Sequence, residues 1–340
     1  MSPQTKTVPV RFVTDLIDAV AKKPGFDPGC IRRASIAPAL LRQPGARVTI
    51  EQFADLYRLL AIQFDDETPG IFSRPLRNGT FKFLCLGMLG AKDLRIALHR
   101  FSGFFRLVLD ELQFDVSTED SVTRIALVER TPLGERRVLG LELMLMLVQG
   151  VASWLIQRRI PFLRIDLAYP APAHAADYAD LYPGPAYFGQ GITALYMSSG
   201  LLHEPIRQDK AALATFLRNA PMDWFYVSVS DRPFTHRVKD RLQDSPGAAQ
   251  TVDTMARHLH LSPRTLARRL AAEGTRFQAI KDGWRRDAAI ARLTKSDDPV
   301  AAIGASLGFE DPTAFNRAFK EWTGSTPNAY RKRPRGTILS

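Results

Sequence analysis

The stretch Leu307-Gly308-Phe309-Glu310-Asp311-Pro312-Thr313-Ala314-Phe315-Asn316-Arg317-Ala318-Phe319-Lys320 decides how this sequence is read. Gly308 suits the left-handed position that ends a helix. Asp311 caps the next helix, and Pro312 sits at its first position, where a missing N–H costs nothing. Phe315 and Phe319 lie i,i+4 and anchor that helix inward, which leaves Thr313, Asn316, Arg317 and Lys320 for its outer side. Upstream, Val300, Ile303 and Leu307 form the buried face of a preceding helix. Ala301, Ala302 and Ala305 are expected to permit close packing there. The pattern is a helix-turn-helix over about 299–320.

A second unit of the same kind precedes it by roughly fifty residues, over about 251–270. Thr251 is a good N-cap, and Val252, Met255, Ala256 and Leu259 make one apolar face. Ser262 caps the following helix, with Pro263 at its first position. Thr265, Leu266 and Leu270 can face inward. Arg264, Arg268 and Arg269 then point largely outward, the first two sharing a face. A long helix over about 277–294 connects the units. Arginine pairs with guanine and asparagine with adenine in the major groove. A rigid connector can set two such helices in successive grooves, about 34 Å apart. The candidate DNA-contacting residues are therefore Arg264, Thr265, Arg268, Arg269, Thr313, Asn316, Arg317 and Lys320. One helical hairpin alone would be weak evidence; two carry the reading.

Charge agrees. The 340 residues hold 46 Lys+Arg and 35 Asp+Glu, a formal net charge of +11. Residues 247–340 contain sixteen of the basic and nine of the acidic residues, so a surplus of +7 sits in the last 94 positions. Concentrated positive charge is what phosphate-backbone binding needs, although a basic helical face is often merely solvated. The basic tail Arg331-Lys332-Arg333-Pro334-Arg335 is a weaker sign.

The remainder reads as an α+β domain with a largely antiparallel sheet. Residues 1–75 look helical, with loops at Lys23-Pro24-Gly25 and Gln43-Pro44-Gly45. A helix is expected over 94–108, a hairpin at 112–129 turning at Glu119-Asp120, and a helix at 138–158. Strands are expected at 163–169 and 192–197, with a Pro-rich loop over 170–187 around a short helix at 178–182, and a helix near 209–218. The expected division is 1–230 for effector sensing and dimerisation, 231–246 as linker and first short helix, 247–333 as an all-α double helix-turn-helix domain, and 334–340 as a tail. The apolar run Leu141–Ile156 is too short to span a bilayer and reads as a core helix, and the start of the sequence lacks a secretory pattern. Two cysteines, Cys30 and Cys85, cannot make a disulfide framework, and a reducing, cytoplasmic, nucleoid-associated setting is expected.

In these segments the sequence resembles the AraC/XylS family of bacterial transcription regulators. The resemblance rests on 261–270, 307–320 and Trp322-Thr323-Gly324-Ser325-Thr326-Pro327-Asn328-Ala329-Tyr330-Arg331, and covers about 232–333. It implies a seven-helix domain with two DNA-reading motifs. Carried over by position, Arg264, Ala267 and Arg268 in the first motif, and Thr313, Asn316 and Arg317 in the second, fall where the family meets DNA. Ala267 departs from the polar residues of some relatives and can contact only a thymine methyl or nothing. The N-terminal part resembles the arabinose-binding-like domain of one subgroup, through Arg77-Asn78-Gly79-Thr80-Phe81, Ala97–Phe105, Tyr187-Phe188-Gly189-Gln190 and Leu201-Leu202-His203-Glu204-Pro205-Ile206. That label does not make arabinose the ligand. Double-stranded DNA and a small-molecule effector are the implied partners, with RNA polymerase and a second copy of the chain as further candidates and no membrane.

No phosphate-binding glycine loop or Gly-x-Ser-x-Gly nucleophile motif is present, so no catalytic residue, cofactor or metal is expected. His258 and His260 read as exposed or capping residues rather than a metal pair, and His99 as packing or surface. Cys30 and Cys85 read as buried small hydrophobes rather than redox sensors. Asp65-Asp66-Glu67 reads as a solvated helix end. Phe101, Phe104 and Phe105 form either ordinary core or, with Trp154, the lining of an effector pocket, whose position the sequence does not give. The rival readings are a DNA-tethered enzyme and a module whose basic helices bind an acidic protein.

Overall fold

A computed structural model describes residues 7–172, 175–182, 184–225, 234–244, 250–273 and 275–331. The chain runs β1 (Thr7–Pro9), α1 (Val10–Val20), α2 (Gly29–Arg33), β2 (Arg47–Thr49), α3 (Ile50–Phe64), α4 (Thr80–Leu89), α5 (Leu94–Val108), β3 (Leu112–Glu119), β4 (Val122–Glu129), α6 (Arg137–Leu155) and β5 (Arg164–Leu167). It continues through α7 (Tyr178–Leu181), β6 (Ala186–Phe188), β7 (Thr193–Ser198), α8 (Lys210–Asn219), α9 (Met222–Phe225) and α10 (Phe234–Asp244). The last elements are α11 (Val252–His258), α12 (Pro263–Ala272), α13 (Phe277–Lys295), α14 (Val300–Ser306), α15 (Pro312–Thr323) and α16 (Pro327–Tyr330).

Two compact units result. One combines the described residues of 12–30 and 54–231; the other combines those of 1–11, 31–53 and 232–340. The linear division at residue 230 therefore does not hold for 1–11 and 31–53, whereas 12–30 stay with the sheet-bearing unit. The boundary passes through α1 and α3, and part of the N-terminal segment folds with the C-terminal helices. Of the expected joint over 230–251, positions 230–233 and 245–249 lie outside the described residues, as do Lys332, Arg333, Pro334, Arg335 and the rest of the tail. The short helix expected there is α10.

The first unit holds a five-stranded sheet in the order β3-β4-β7-β5-β6, antiparallel except for the β5–β6 pair. The hairpin pairs Leu112 with Glu129 and Glu119 with Val122, and Asp120 takes the positive φ of 50° that its turn needs. α5 packs on β3 through Phe101 and Phe105, both within 5.2 Å of the Phe114 ring centroid. α6 is the central helix. Gly134–Leu155 is long and apolar enough to cross a membrane, yet 89% of its apolar window is buried within the protein. Its buried carboxylate, Glu142, is 1% exposed and is met by the Tyr178 and Tyr169 hydroxyls, so the buried polar group has partners. α4 and β6 had no counterpart in the sequence reading, since neither shows a clean period.

In the second unit, the C-terminal segment is all-helical, as expected, and α13 is its spine. Phe277 and Ile280 in its first half pack with Met255, Leu266 and Leu270. Ala289, Ile290 and Leu293 in its second half are buried where α13 meets α14, α15 and α16. The unit also contains the antiparallel pair β1–β2, with Val8 opposite Val48. That pair was absent from the reading of 1–75 as helical, because each strand is three residues long. It is fastened by polar contacts. Thr7 Oγ1 donates to Asp287 at 2.5 Å, the Arg47 guanidinium donates to Thr7 Oγ1 and carbonyl, and the Arg47 N–H donates to Tyr330 Oη at 2.9 Å. Lys295 pairs with Glu51 at 3.0 Å.

Candidate nucleic-acid interface and apolar cavity

α12 and α15 are each started by the residue the sequence assigns to them. Ser262 Oγ accepts the Thr265 N–H at 3.1 Å, and Asp311 accepts the N–H groups of Thr313 and Ala314 at 2.8 and 3.3 Å. Those bonds hold the Asp311 carboxyl below its usual range, the Thr313 N–H contributing most. The turns before the helices bend through positive φ, 54° at His260 and 80° at Gly308. His260 therefore serves the turn. The second turn is also braced from α13. The Arg285 guanidinium donates to the Gly308 carbonyl at 3.1 Å and lies 4.5 Å from the Phe309 ring centroid, and burial lowers its pKa. Sequence reading missed Arg285, whose role depends on a contact 23 residues away.

Behind the helices the anchors are buried: Leu266 and Leu270 in α12, Phe315 and Phe319 in α15. On the outer side Arg264, Ala267, Arg268 and Arg269 are exposed, as are Thr313, Asn316, Arg317 and Lys320. Two assigned positions have other engagements. Thr265 is half-buried, with its hydroxyl 2.9 Å from Ser262 Oγ, and the Arg269 guanidinium lies 5.4 Å from the Phe234 ring centroid. Asn316 Nδ2 donates to the Pro312 carbonyl at 2.9 Å, a bond on the helix surface that a base edge can replace.

Two packing expectations need correction. Val252 is 37% exposed, because Met255 and Ala256 already fill the inward face of the short α11. Ala301, Ala302 and Ala305 are exposed rather than interfacial. Close approach occurs at Gly304 instead, where an added Cβ would stand 2.9 Å from Phe315 Cγ.

The nineteen residues of α13 span about 28 Å. The arrangement can present two cationic helix faces carried on opposite halves of one rod.

The sheet-bearing unit contains a cavity of about 210 Å³. Tyr57, Phe81, Leu84, Phe105, Met144 and Trp224 supply most of its apolar wall. The aromatic stripe on α5 is thus mainly core, with Phe105 alone reaching the lining; Trp154 instead stacks on Phe216 at 4.4 Å. In the acidic run Asp65 is exposed at the helix end, as expected, but Asp66 and Glu67 are not. Asp66 is fully buried and accepts the N–H groups of Thr68, Gly70 and Leu76, which tie down the following loop. Glu67 lines the cavity and accepts the N–H groups of Gly79 and Phe81 at 2.8 and 2.6 Å. Burial raises its pKa against the pull of those two bonds. The turn sequence Asp66-Glu67-Thr68-Pro69-Gly70 was the available signal, since such residues bind their own backbone. Cys85 and Cys30 are buried, and burial pushes the Cys85 thiol up, which keeps it unreactive.

The family model described as the arabinose-binding domain of AraC transcription regulator, N-term, matches residues 25–206, and one described as a helix-turn-helix domain matches 255–333. The ornithine utilization regulator of Pseudomonas aeruginosa is 27% identical over 328 residues, covering 96% of this chain and 97% of its own. The arabinose operon regulatory protein of Escherichia coli is 27% identical over 168 residues, covering 48% of this chain and 53% of its own. Among solved structures, the transcriptional regulator CdpR from Pseudomonas aeruginosa aligns over 94% of this chain and 98% of its own, with a TM-score of 0.30 and 18% identity.

Proposed function

This chain belongs to the AraC family of transcription regulators, and from that premise we propose that it reads a specific operator through α12 and α15 in response to a small molecule held by its sheet-bearing unit. The observation that carries the DNA reading is the two-sided build of both helices. Arg264 and Arg268, and likewise Asn316 and Arg317, are exposed opposite anchors that are fully buried. Phosphate contacts by the surrounding Lys and Arg supply affinity that salt weakens, and base-edge contacts supply specificity. Arg264, Arg268, Asn316 and Arg317 take the base-reading role. Thr313 and Lys320 flank it, while Thr265 and Arg269 contribute mainly by holding α12 in place.

A ligand switches such a protein only by binding one of its conformations more tightly than another. The apolar cavity supports the sensing half of the reading. RNA polymerase, a second copy of the chain and a cytoplasmic, nucleoid-associated location complete it as the setting in which a regulator of this kind acts. Genome-wide mapping of bound sites, repeated in media of different composition, tests both halves. Arg317→Ala is expected to remove the discrete sites while leaving the circular dichroism spectrum unchanged. An unchanged binding map for this variant overturns the assignment.

A further inference from the structure

The cavity has a chemistry that narrows what can occupy it. Rings and aliphatic chains make most of its wall, and Trp224 is set within them, 6.2 Å from Tyr57 and 6.5 Å from Phe81 between centroids. The side-chain donors and charged groups around it are engaged elsewhere, with one exception. Asn78 Nδ2 donates to the Ala61 carbonyl and to Asp65, and Thr80 Oγ1 to the Arg77 carbonyl. The Tyr57 hydroxyl donates to the Glu67 carbonyl. The Arg58 guanidinium is directed at the carbonyls of Asn219 and Ala220 and at Asp55, which removes it as a ready seat for an anion.

The exception is the Glu67 carboxylate. Each oxygen accepts one backbone N–H, which fixes the side chain and leaves lone-pair capacity on both oxygens. Gly79 takes a φ of 104° in presenting its N–H, a conformation costly for other residues. Asp65 and Asp66 add negative potential beside it, partly balanced by Lys23 at 3.6 Å from Asp66 and Arg77 at 4.0 Å from Asp65.

We propose that this cavity is the effector site and that it takes a compact, mainly apolar molecule bearing one protonated amine, the ring or chain against Trp224 and the ammonium against Glu67. This rests on the reading that the sheet-bearing unit senses a small molecule. A charge-assisted hydrogen bond inside an apolar wall is worth roughly tenfold or more in affinity over its neutral counterpart.

The test uses the full chain and three probes sharing one ring: phenethylamine, 2-phenylethanol and 3-phenylpropanoate. Phenethylamine is expected to change tryptophan emission, an effect lost in Trp224→Phe, and to bind about tenfold or more tighter than the alcohol. The propanoate is expected not to bind. Glu67→Gln should abolish the preference for amine over alcohol. The Gly79 and Phe81 amide resonances of the unmodified protein, which need no variant to fold, should shift more at saturation with the amine than with the alcohol. Equal binding of amine and alcohol, or unmoved amide resonances, overturns the proposal. Preference for the propanoate overturns the ligand class and leaves the sensing reading standing. Binding of none overturns the site assignment, and the binding maps in different media then decide the sensing reading separately.

Discussion

The two helix-turn-helix units solve one geometric problem with different residues. The first bends through His260, seats Leu266 and Leu270, and shows the outside Arg264, Ala267 and Arg268. The second bends through Gly308, seats Phe315 and Phe319 against Gly304, and shows Thr313, Asn316 and Arg317. The first is cationic with a methyl at its centre; the second carries an amide that can specify adenine. The contrast teaches that backbone architecture and the outer face proposed to read bases are set by different positions of the same short helix. Anchors repeat every third or fourth residue on one side, and the other side is free to vary.

The largest expected effect tests the seating. Phe315→Ala should cost about 3–5 kcal/mol and Gly304→Val about 1–3 kcal/mol, whereas Ala305→Val on the exposed side should change stability by no more than about 0.5 kcal/mol. Urea unfolding followed by Trp322 emission reads the second unit, because that ring lies 5.9 Å from Phe309. A Gly304 variant as stable as the Ala305 variant would break the distinction between seated and free faces.

The next effect tests the outer faces. Asn316→Ala should relax preference at one base pair by about 1–3 kcal/mol. Ala267→Asn should create a preference where the first unit now has little. Selection of bound sequences from a random pool reads both; an unchanged motif for Asn316→Ala removes the amide from base readout.

A smaller effect separates the turns. His260→Gly should stabilise by up to about 1 kcal/mol, and Gly308→Ala should destabilise by about 1–2 kcal/mol, because a side chain at positive φ crowds its own backbone. Thermal unfolding midpoints of opposite sign check this.

The smallest distinguishes the caps by pH. Asp311 has a lowered folded-state pKa, so its stabilisation is complete above its ordinary value of 3.8 and is lost as pH falls through the lower folded value. Ser262 has no such dependence. On acidification the Thr313 amide resonance should move before that of Thr265, and Asp311→Asn should remove the difference.

Much of this was legible in the primary structure. Caps, turn residues and i,i+4 anchors are local signals, so α11, α12, α14 and α15 emerged, α12 and α15 with their outer faces, as did the hairpin of β3 and β4. Glu67 was misread because a carboxylate at a helix end looks solvated until distant residues enclose it; its partners Gly79 and Phe81 lie twelve and fourteen positions away. Arg285 escaped for a similar reason.

Composition and spacing by themselves determined that two capped helices with cationic outer faces exist, because such signals act over a single turn of chain. Only the tertiary structure decided that strands at 7–9 and 47–49 belong with those helices, through Thr7 to Asp287 and Arg47 to Tyr330. Burial is a property of the folded whole: a side chain's surroundings are set by segments hundreds of residues distant, and no short pattern records them.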